Sequence, residues 1–420
     1  MGESGFKDTL FEDQAFDLIK PSKDLKEEIT KIIKTYPGIK RKDCWLEIIK
    51  NNFMIWTNSE FNKNVEDLVK SEKLKFHSPT RRLNDDAQLY PMTYNQNPNH
   101  SSIKTKLQWD YFSDLNNRPE LRLVKVNDGS IITRFDKTPL PQNITDVVCP
   151  HFVELKWSYG CPFDCSWCYL KGTFRFKPDG LKPVFKDLDK IKNHVQSFIL
   201  NAKTPELLNT GEISDSLMGE HLNPPFSRFI IQLFEQQKVH KVLFVTKSSN
   251  VKNILDLPSA NQAIFSFSLN ASDVAEKWEK KAPSPLKRLE AAKKLFDRGY
   301  PVRIRIDPIV PVKNWNEQYR QLIDDIFERF IPERITFGSL RGLQSTINGT
   351  SDKSWTGFLK ETSNWGKKID LKTRCELYSF MIGYLKEKYQ YSAVALCKET
   401  IEVWERLGMD WKNIRCNCIL

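Results

Sequence analysis

The stretch YGCPFDCSWCYL, residues 159–170, places Cys161, Cys165 and Cys168 within eight positions. Thiolates are metal ligands and nucleophiles. Three of them are one fewer than a structural zinc site takes and one more than a disulfide takes. Iron–sulfur clusters are held by thiolates. A cubane held by three leaves one iron without a protein ligand, open to a small molecule that bears an amine and a carboxylate. Zinc asks for a fourth donor, and Cys149 or His151 is available to supply it.

The elements around this stretch say where it sits. FVELKWSY (152–159) reads as a strand that ends just before Cys161. Further strands are expected at 206–214, 241–249, 259–270, 301–311 and 334–340, separated by helical segments at 182–202, 225–237, 284–299 and 316–330. The segment SPLKRLEAAKKLFDRG shows the end signals best: Ser284 can cap, Pro285 suits the first turn, and Gly299 can stop the helix. Strands alternating with helices predict an α/β fold with a parallel sheet. Six such units fall short of the eight in a closed barrel, so a partial (β/α)6 barrel is expected, with the cysteines on the rim where βα loops build active sites.

Alternation predicts a polar interior. Ser266, Ser268 and Asn270 share one face of their strand, opposite Phe265, Phe267 and Leu269. Arg303, Arg305 and Asp307 share a face, as do Thr210, Glu212 and Ser214. A strand buried on both faces in an apolar core would instead read as a continuous apolar run. An edge strand facing solvent gives the same alternation, but three strands showing it in one repeat favour a lumen. Arg303 and Arg305 suit a carboxylate or phosphate, or an ion pair with Asp307 or Glu154.

Outside residues 151–340 the chain carries appendages. Residues 1–100 read as a mainly helical extension, with helices over 23–36, 44–56 and 64–76 and an exposed polar linker at 92–102. Residues 101–150 read as β-rich, with a hairpin about Asn127, Asp128 and Gly129. Residues 341–420 form a C-terminal extension with Cys397, Cys416 and Cys418, which suit a thiol relay, a second metal or plain packing. Cys44 and Cys375 read as small buried hydrophobes.

Of 420 residues, 40% are apolar and 28% charged, as in soluble globular proteins. No apolar run reaches the ~18 residues of a membrane span. The opening MGESGFKDTLFEDQAF shows no secretory signal, so nine cysteines point to a reducing compartment, the cytoplasm, and to metal or redox chemistry. The formal net charge of +11 favours a polyanionic partner, most simply nucleic acid. The basic stretch KTYPGIKRKDCW (34–45) would face it, with Trp45 and Trp56 either stacking on bases or packing in a core.

The spacing C-x3-C-x2-C on this loop resembles the radical S-adenosylmethionine superfamily. CPFDCSWCYL, EISDS, VLFVTK, FSFSLN, SPLKRLEAAKKLFDRGYPV and DPIVPVKNWNEQY together resemble the spore photoproduct lyase family over about residues 150–340. The resemblance implies that Cys161, Cys165 and Cys168 hold a [4Fe-4S] cluster and that S-adenosyl-L-methionine binds beside it. It implies cofactor contacts from Tyr169, Gly211, Glu212, Ser214, Lys247, Ser268, Asn270 and Arg305. One electron, delivered by an external reductant such as flavodoxin or ferredoxin, would yield a 5′-deoxyadenosyl radical that abstracts hydrogen from a thymine-derived base in DNA.

One position departs from the family. Its hydrogen-donating cysteine precedes the Ser-Asp pair by two residues, where this chain has Glu212 before Ser214 and Asp215. Glu212, Cys397, Cys416 and Cys418 are the catalytic candidates: either another cysteine substitutes as donor, or the reaction needs none. A rearrangement or hypermodification that recovers its hydrogen from 5′-deoxyadenosine needs no thiol. A zinc-bearing nucleic-acid-binding protein without catalysis is the reading from another class.

Overall fold

The computed structural model describes residues 24–51, 56–93, 106–135, 140–258 and 261–420. The opening stretch read for a signal, residues 52–55 of the second helix candidate and most of the linker candidate lie outside them. The chain divides into two compact units, Met1–Trp109 with Leu200–Thr204, and Asp110–Ile199 with Pro205–Leu420.

The first unit holds helices Leu25–Thr35, Arg41–Asn51 and Asn58–Lys70 and an antiparallel sheet of Ile39–Lys40, Gln88–Pro91 and Leu74–His77. The first helix buries the stripe Leu25, Ile29, Ile32 and Ile33. The third starts at a capping box between Thr57 and Glu60. Trp45, half-buried, packs on buried Phe61 at 5.3 Å between ring centroids.

The second unit is built on a mixed sheet with strands β1 (Pro119–Val126), β2 (Ile132–Phe135), β3 (Phe152–Leu155), β4 (Leu207–Asn209), β5 (Lys241–Thr246), β6 (Ala263–Leu269), β7 (Val302–Ile309), β8 (Ile335–Ser339) and β9 (Val394–Leu396). Their order across the sheet is the sequence order. β3 to β9 pair in parallel, while β1 and β2 add an antiparallel edge beside β3. The expected α/β sheet is present with a seventh parallel strand, β9, in place of six. The hairpin turn forms where expected, with Asn127 and Gly129 at positive φ.

Helices α1 (Leu188–Asn201), α2 (Phe226–Phe234), α3 (Pro285–Asp297), α4 (Trp315–Phe327) and α5 (Leu371–Tyr389) accompany the strands. Ser284 Oγ caps α3 by accepting from Lys287 N at 3.4 Å, and Gly299 follows it at φ +85°. Phe265 and Phe244 stack at 4.7 Å on one face of β5 and β6; the opposite, polar side carries Ser266 and Ser268 beyond an apolar patch of Leu207, Leu243 and Ile264. Among the described residues no helix is long and apolar enough to cross a membrane.

Candidate active site

A cavity of about 370 Å³ opens on the polar side of this sheet. Cys161, Cys165 and Cys168 all line it. Gly160 enters the loop at φ +87°, and a Cβ there would lie 2.5 Å from the Lys182 carbonyl oxygen, so only glycine fits. The loop is clamped from several sides. Cys161 N donates to Leu181 O at 2.9 Å, Ser166 N to Trp278 O at 2.8 Å, and Ser166 Oγ to Asp352 at 2.8 Å. The short helix Leu170–Thr173 behind it meets residues 344–349 so closely that a Cβ on Gly172 would stand 2.6 Å from Ser345 Oγ.

The three sulfurs are unbonded. Burial pushes all three thiols up, Cys165 to about 12. Free thiols are therefore protonated at neutral pH, and metal binding must displace those protons. Among the described residues no group of three or more His, Cys, Asp or Glu side chains is gathered to hold one metal ion. A cubane makes a different demand, because each thiolate binds its own iron and the sulfurs stand wider apart. Three unbonded thiols on one rigid loop, facing a cavity large enough for a small cofactor, fit that demand. Of the two candidate fourth donors, Cys149 lines the cavity, while His151 packs edge-on against Phe112 at 5.3 Å.

Most of the cofactor contacts expected from sequence converge here. Tyr169, Gly211, Glu212, Ser214, Lys247, Ser268 and Arg305 line the same cavity. Tyr169 donates its hydroxyl to the backbone oxygen and the carboxylate of Glu212. Gly211 is close-packed against the protein itself: a Cβ would meet Ser216 Oγ and Val245 O at 2.7 Å. The segment 210–214 is not the strand continuation its alternation suggests. β4 stops at Asn209, whose Oδ1 takes the Gly211 amide at 2.9 Å, and Thr210 Oγ1 turns to Ser216 Oγ at 2.8 Å.

Asn270 does not reach the cavity. It lies one residue past β6, donating to Pro308 O at 2.8 Å and accepting from Tyr319 at 3.0 Å, so its amide is spent on holding the end of β7.

Three groups carry structure that sequence reasoning missed. Asp215 accepts from Thr246 Oγ1 and Lys247 N, both at 2.7 Å, and locks the loop after β4 to the end of β5. Glu279 is buried between Lys247, at 3.4 Å, and Arg288, at 2.6 Å. Burial works against the Glu279 carboxylate, but these two cations outweigh it and hold its pKa below the ordinary range. Arg341 binds Asp307 through both terminal nitrogens, at 2.8 and 3.1 Å, beside the expected Arg305–Asp307 pair at 3.1 Å.

The lower part of the polar face is filled by the chain's own residues 416–419. Asn417 Nδ2 donates to Ser266 Oγ at 2.8 Å and to Ile304 O at 2.9 Å, and Arg303 donates to Asn417 O and Ile419 O, both at 2.8 Å. Arg303 also pairs with Glu333 at 2.9 Å, so it is structural. One row higher, Ser268, Arg305 and Thr336 are register neighbours and stay open to the cavity. Cys397, Cys416 and Cys418 line it as well.

This assembly has relatives. Residues 153–340 match the family model for spore photoproduct lyase. The spore photoproduct lyase of Bacillus subtilis is 31% identical over 175 residues, 41% of this chain and 50% of that protein. Residues 153–340 are thus similar to spore photoproduct lyases. The Clostridium acetobutylicum spore photoproduct lyase is 25% identical over 42% of this chain and 52% of its own. The chain thus spans about half the length of the curated relatives it matches. A solved spore photoproduct lyase complexed with dinucleoside spore photoproduct shares the fold at TM-score 0.50 and 21% identity, over 58% of this chain and 75% of that one. The cysteine loop, Gly211–Glu212, Lys247 and Ser268 all lie inside the matched range.

Proposed function

We propose that the protein is a radical S-adenosylmethionine enzyme that abstracts hydrogen from a thymine-derived base in DNA. The observation that carries this reading is one cavity lined at once by Cys161, Cys165, Cys168, Glu212, Lys247 and Ser268. When bound, the cluster and S-adenosylmethionine supply the 5′-deoxyadenosyl radical, and the protein supplies binding, orientation and exclusion of water. Cys161, Cys165 and Cys168 hold the cluster. Glu212 offers a carboxylate to the methionine ammonium, with Tyr169 fixing its orientation. Lys247 offers positive charge to the methionine carboxylate while Glu279 anchors it from behind. The net charge of +11 suits a nucleic-acid substrate. The base must be met single-stranded or extracted from the duplex.

A rearrangement of a modified thymine is the second reading, and one position favours it. Glu212 stands in the cavity wall where a donor thiol is expected, and a carboxylate does not donate a hydrogen atom. The two readings separate in one experiment. Reconstituted protein, reductant and deuterated S-adenosylmethionine are incubated anaerobically with oligonucleotides carrying spore photoproduct or a modified thymine, and the products are digested to nucleosides and identified by chromatographic retention and mass. Repair to thymidines supports lesion cleavage. A product of unchanged formula carrying deuterium supports rearrangement. Formation of 5′-deoxyadenosine with no thymidine released from the lesion and no new or deuterated nucleoside in any digest would overturn the assignment of substrate.

A further inference from the structure

Seven of the nine cysteines line the cavity, and only three belong to the loop at 161–168. The other four, Cys149, Cys397, Cys416 and Cys418, come from three separate parts of the chain. Backbone pairing gathers them. Val147 bridges Thr400, and Val148 N donates to Glu399 O at 2.8 Å, which sets Cys149 beside the segment of Cys397. Cys397 N donates to Phe337 O at 2.6 Å. The preceding residue of β8, Thr336, exchanges hydrogen bonds with Asn417 at 2.8 and 2.9 Å, which fixes Cys416 and Cys418 on either side.

One guanidinium links two of the sulfurs. The Arg305 guanidinium lies 2.8 Å from Cys397 Sγ and 3.7 Å from Cys418 Sγ. Cys149 and Cys416 line the same cavity as Cys397 and Cys418. None of the four is in a disulfide. Thiols that only filled space would have no use for guanidinium partners. Here Arg341 also reaches Cys397 Sγ, at 3.4 Å, and Asp307 aims both arginines.

We propose that Cys149, Cys397, Cys416 and Cys418 hold a second iron–sulfur cubane, one thiolate to each iron. Four thiolates cap all four irons, so this cluster has no open position, unlike one held by the loop at 161–168. Arg305 and Arg341 form its outer shell: N–H donation to the thiolate sulfurs offsets their charge and raises the cluster's potential. The proposal goes beyond the reading of substrate given above and stands without it. Zinc is the other metal that four thiolates take, and the experiment tells them apart.

Full-length protein is reconstituted anaerobically as wild type, as Cys161→Ala/Cys165→Ala/Cys168→Ala and as Cys397→Ala/Cys416→Ala/Cys418→Ala. Iron, sulfide and zinc are counted, and electron paramagnetic resonance spectra are recorded after reduction. Two cubanes require about eight irons per wild-type chain and about four in each variant. The signal left in the first variant does not shift when S-adenosylmethionine is added, because no iron is open. That variant reads the second cluster directly, whether or not the other variant folds. Wild type with about four irons, all lost from the first variant, overturns the proposal, and so does zinc in the second site. Absence of any S-adenosylmethionine cleavage would count against the proposed function and leave the iron count unaffected.

Discussion

Tyr169 reaches from the cysteine loop to Glu212, hydrogen-bonding both its backbone oxygen and, at 3.2 Å, its carboxylate. One hydroxyl thereby couples the loop that would hold the cluster to the loop that would hold the methionine end of the cofactor. Tyr169→Phe keeps the ring and removes the tie. A net hydrogen bond is worth about 1 kcal/mol, so S-adenosylmethionine binding should weaken about 5-fold, with iron content unchanged. Equilibrium binding to the reconstituted variant checks this.

Gly211 sits where a side chain has no room, 2.7 Å from Ser216 Oγ and Val245 O. Gly211→Ala must push β4's loop off β5. Overpacking of this kind costs about 1–3 kcal/mol, read as a fall in the denaturation midpoint. Because the same loop carries Glu212, cofactor affinity should fall with it.

The candidate site is partly legible in the sequence. The three cysteines, Lys247 and Ser268 can be read there because a short motif and strand alternation are local signals. Asn270 continues the alternation of Ser266 and Ser268, but β6 ends at Leu269 and the next side chain turns to Pro308. Glu279, Asp215 and Arg341 are not legible. Their partners lie on other elements, and ion pairs across a fold leave no periodicity in sequence. β9 gives no signal because three residues, Val394–Leu396, are too few to show a period. The polar face of β6 and β7 reads as all lumen, since nothing local says that Asn417 fills half of it.

Glu279 holds Lys247 and Arg288 in the wall behind the cavity. Glu279→Gln keeps the shape and leaves buried Arg288 and half-buried Lys247 without their counter-charge. Breaking a buried pair in this way costs about 3–5 kcal/mol. Chemical denaturation should show that loss, and Glu279→Gln/Lys247→Met should recover part of it.

Glu399 predicts an acid limb in the stability profile. It is fully buried among Lys368, Arg374 and the hydroxyls of Ser339 and Tyr378. Burial alone would raise its pKa, but Lys368 and Arg374 outweigh it and hold the carboxyl at about 2. A carboxyl lowered on folding stabilises the protein above its unfolded value and loses that contribution as pH falls. The contribution of Glu399 is therefore complete above the ordinary 4.5 and vanishes as pH drops toward about 2. Glu399→Gln should be less stable than wild type at neutral pH, and the gap should narrow across that window.

The most direct test of the central claim is 5′-deoxyadenosine formed from S-adenosylmethionine by anaerobically reconstituted, reduced protein. Wild type should form it, and Cys161→Ala/Cys165→Ala/Cys168→Ala should form none. Equal formation by the variant, or none by wild type carrying its full iron, would contradict the account.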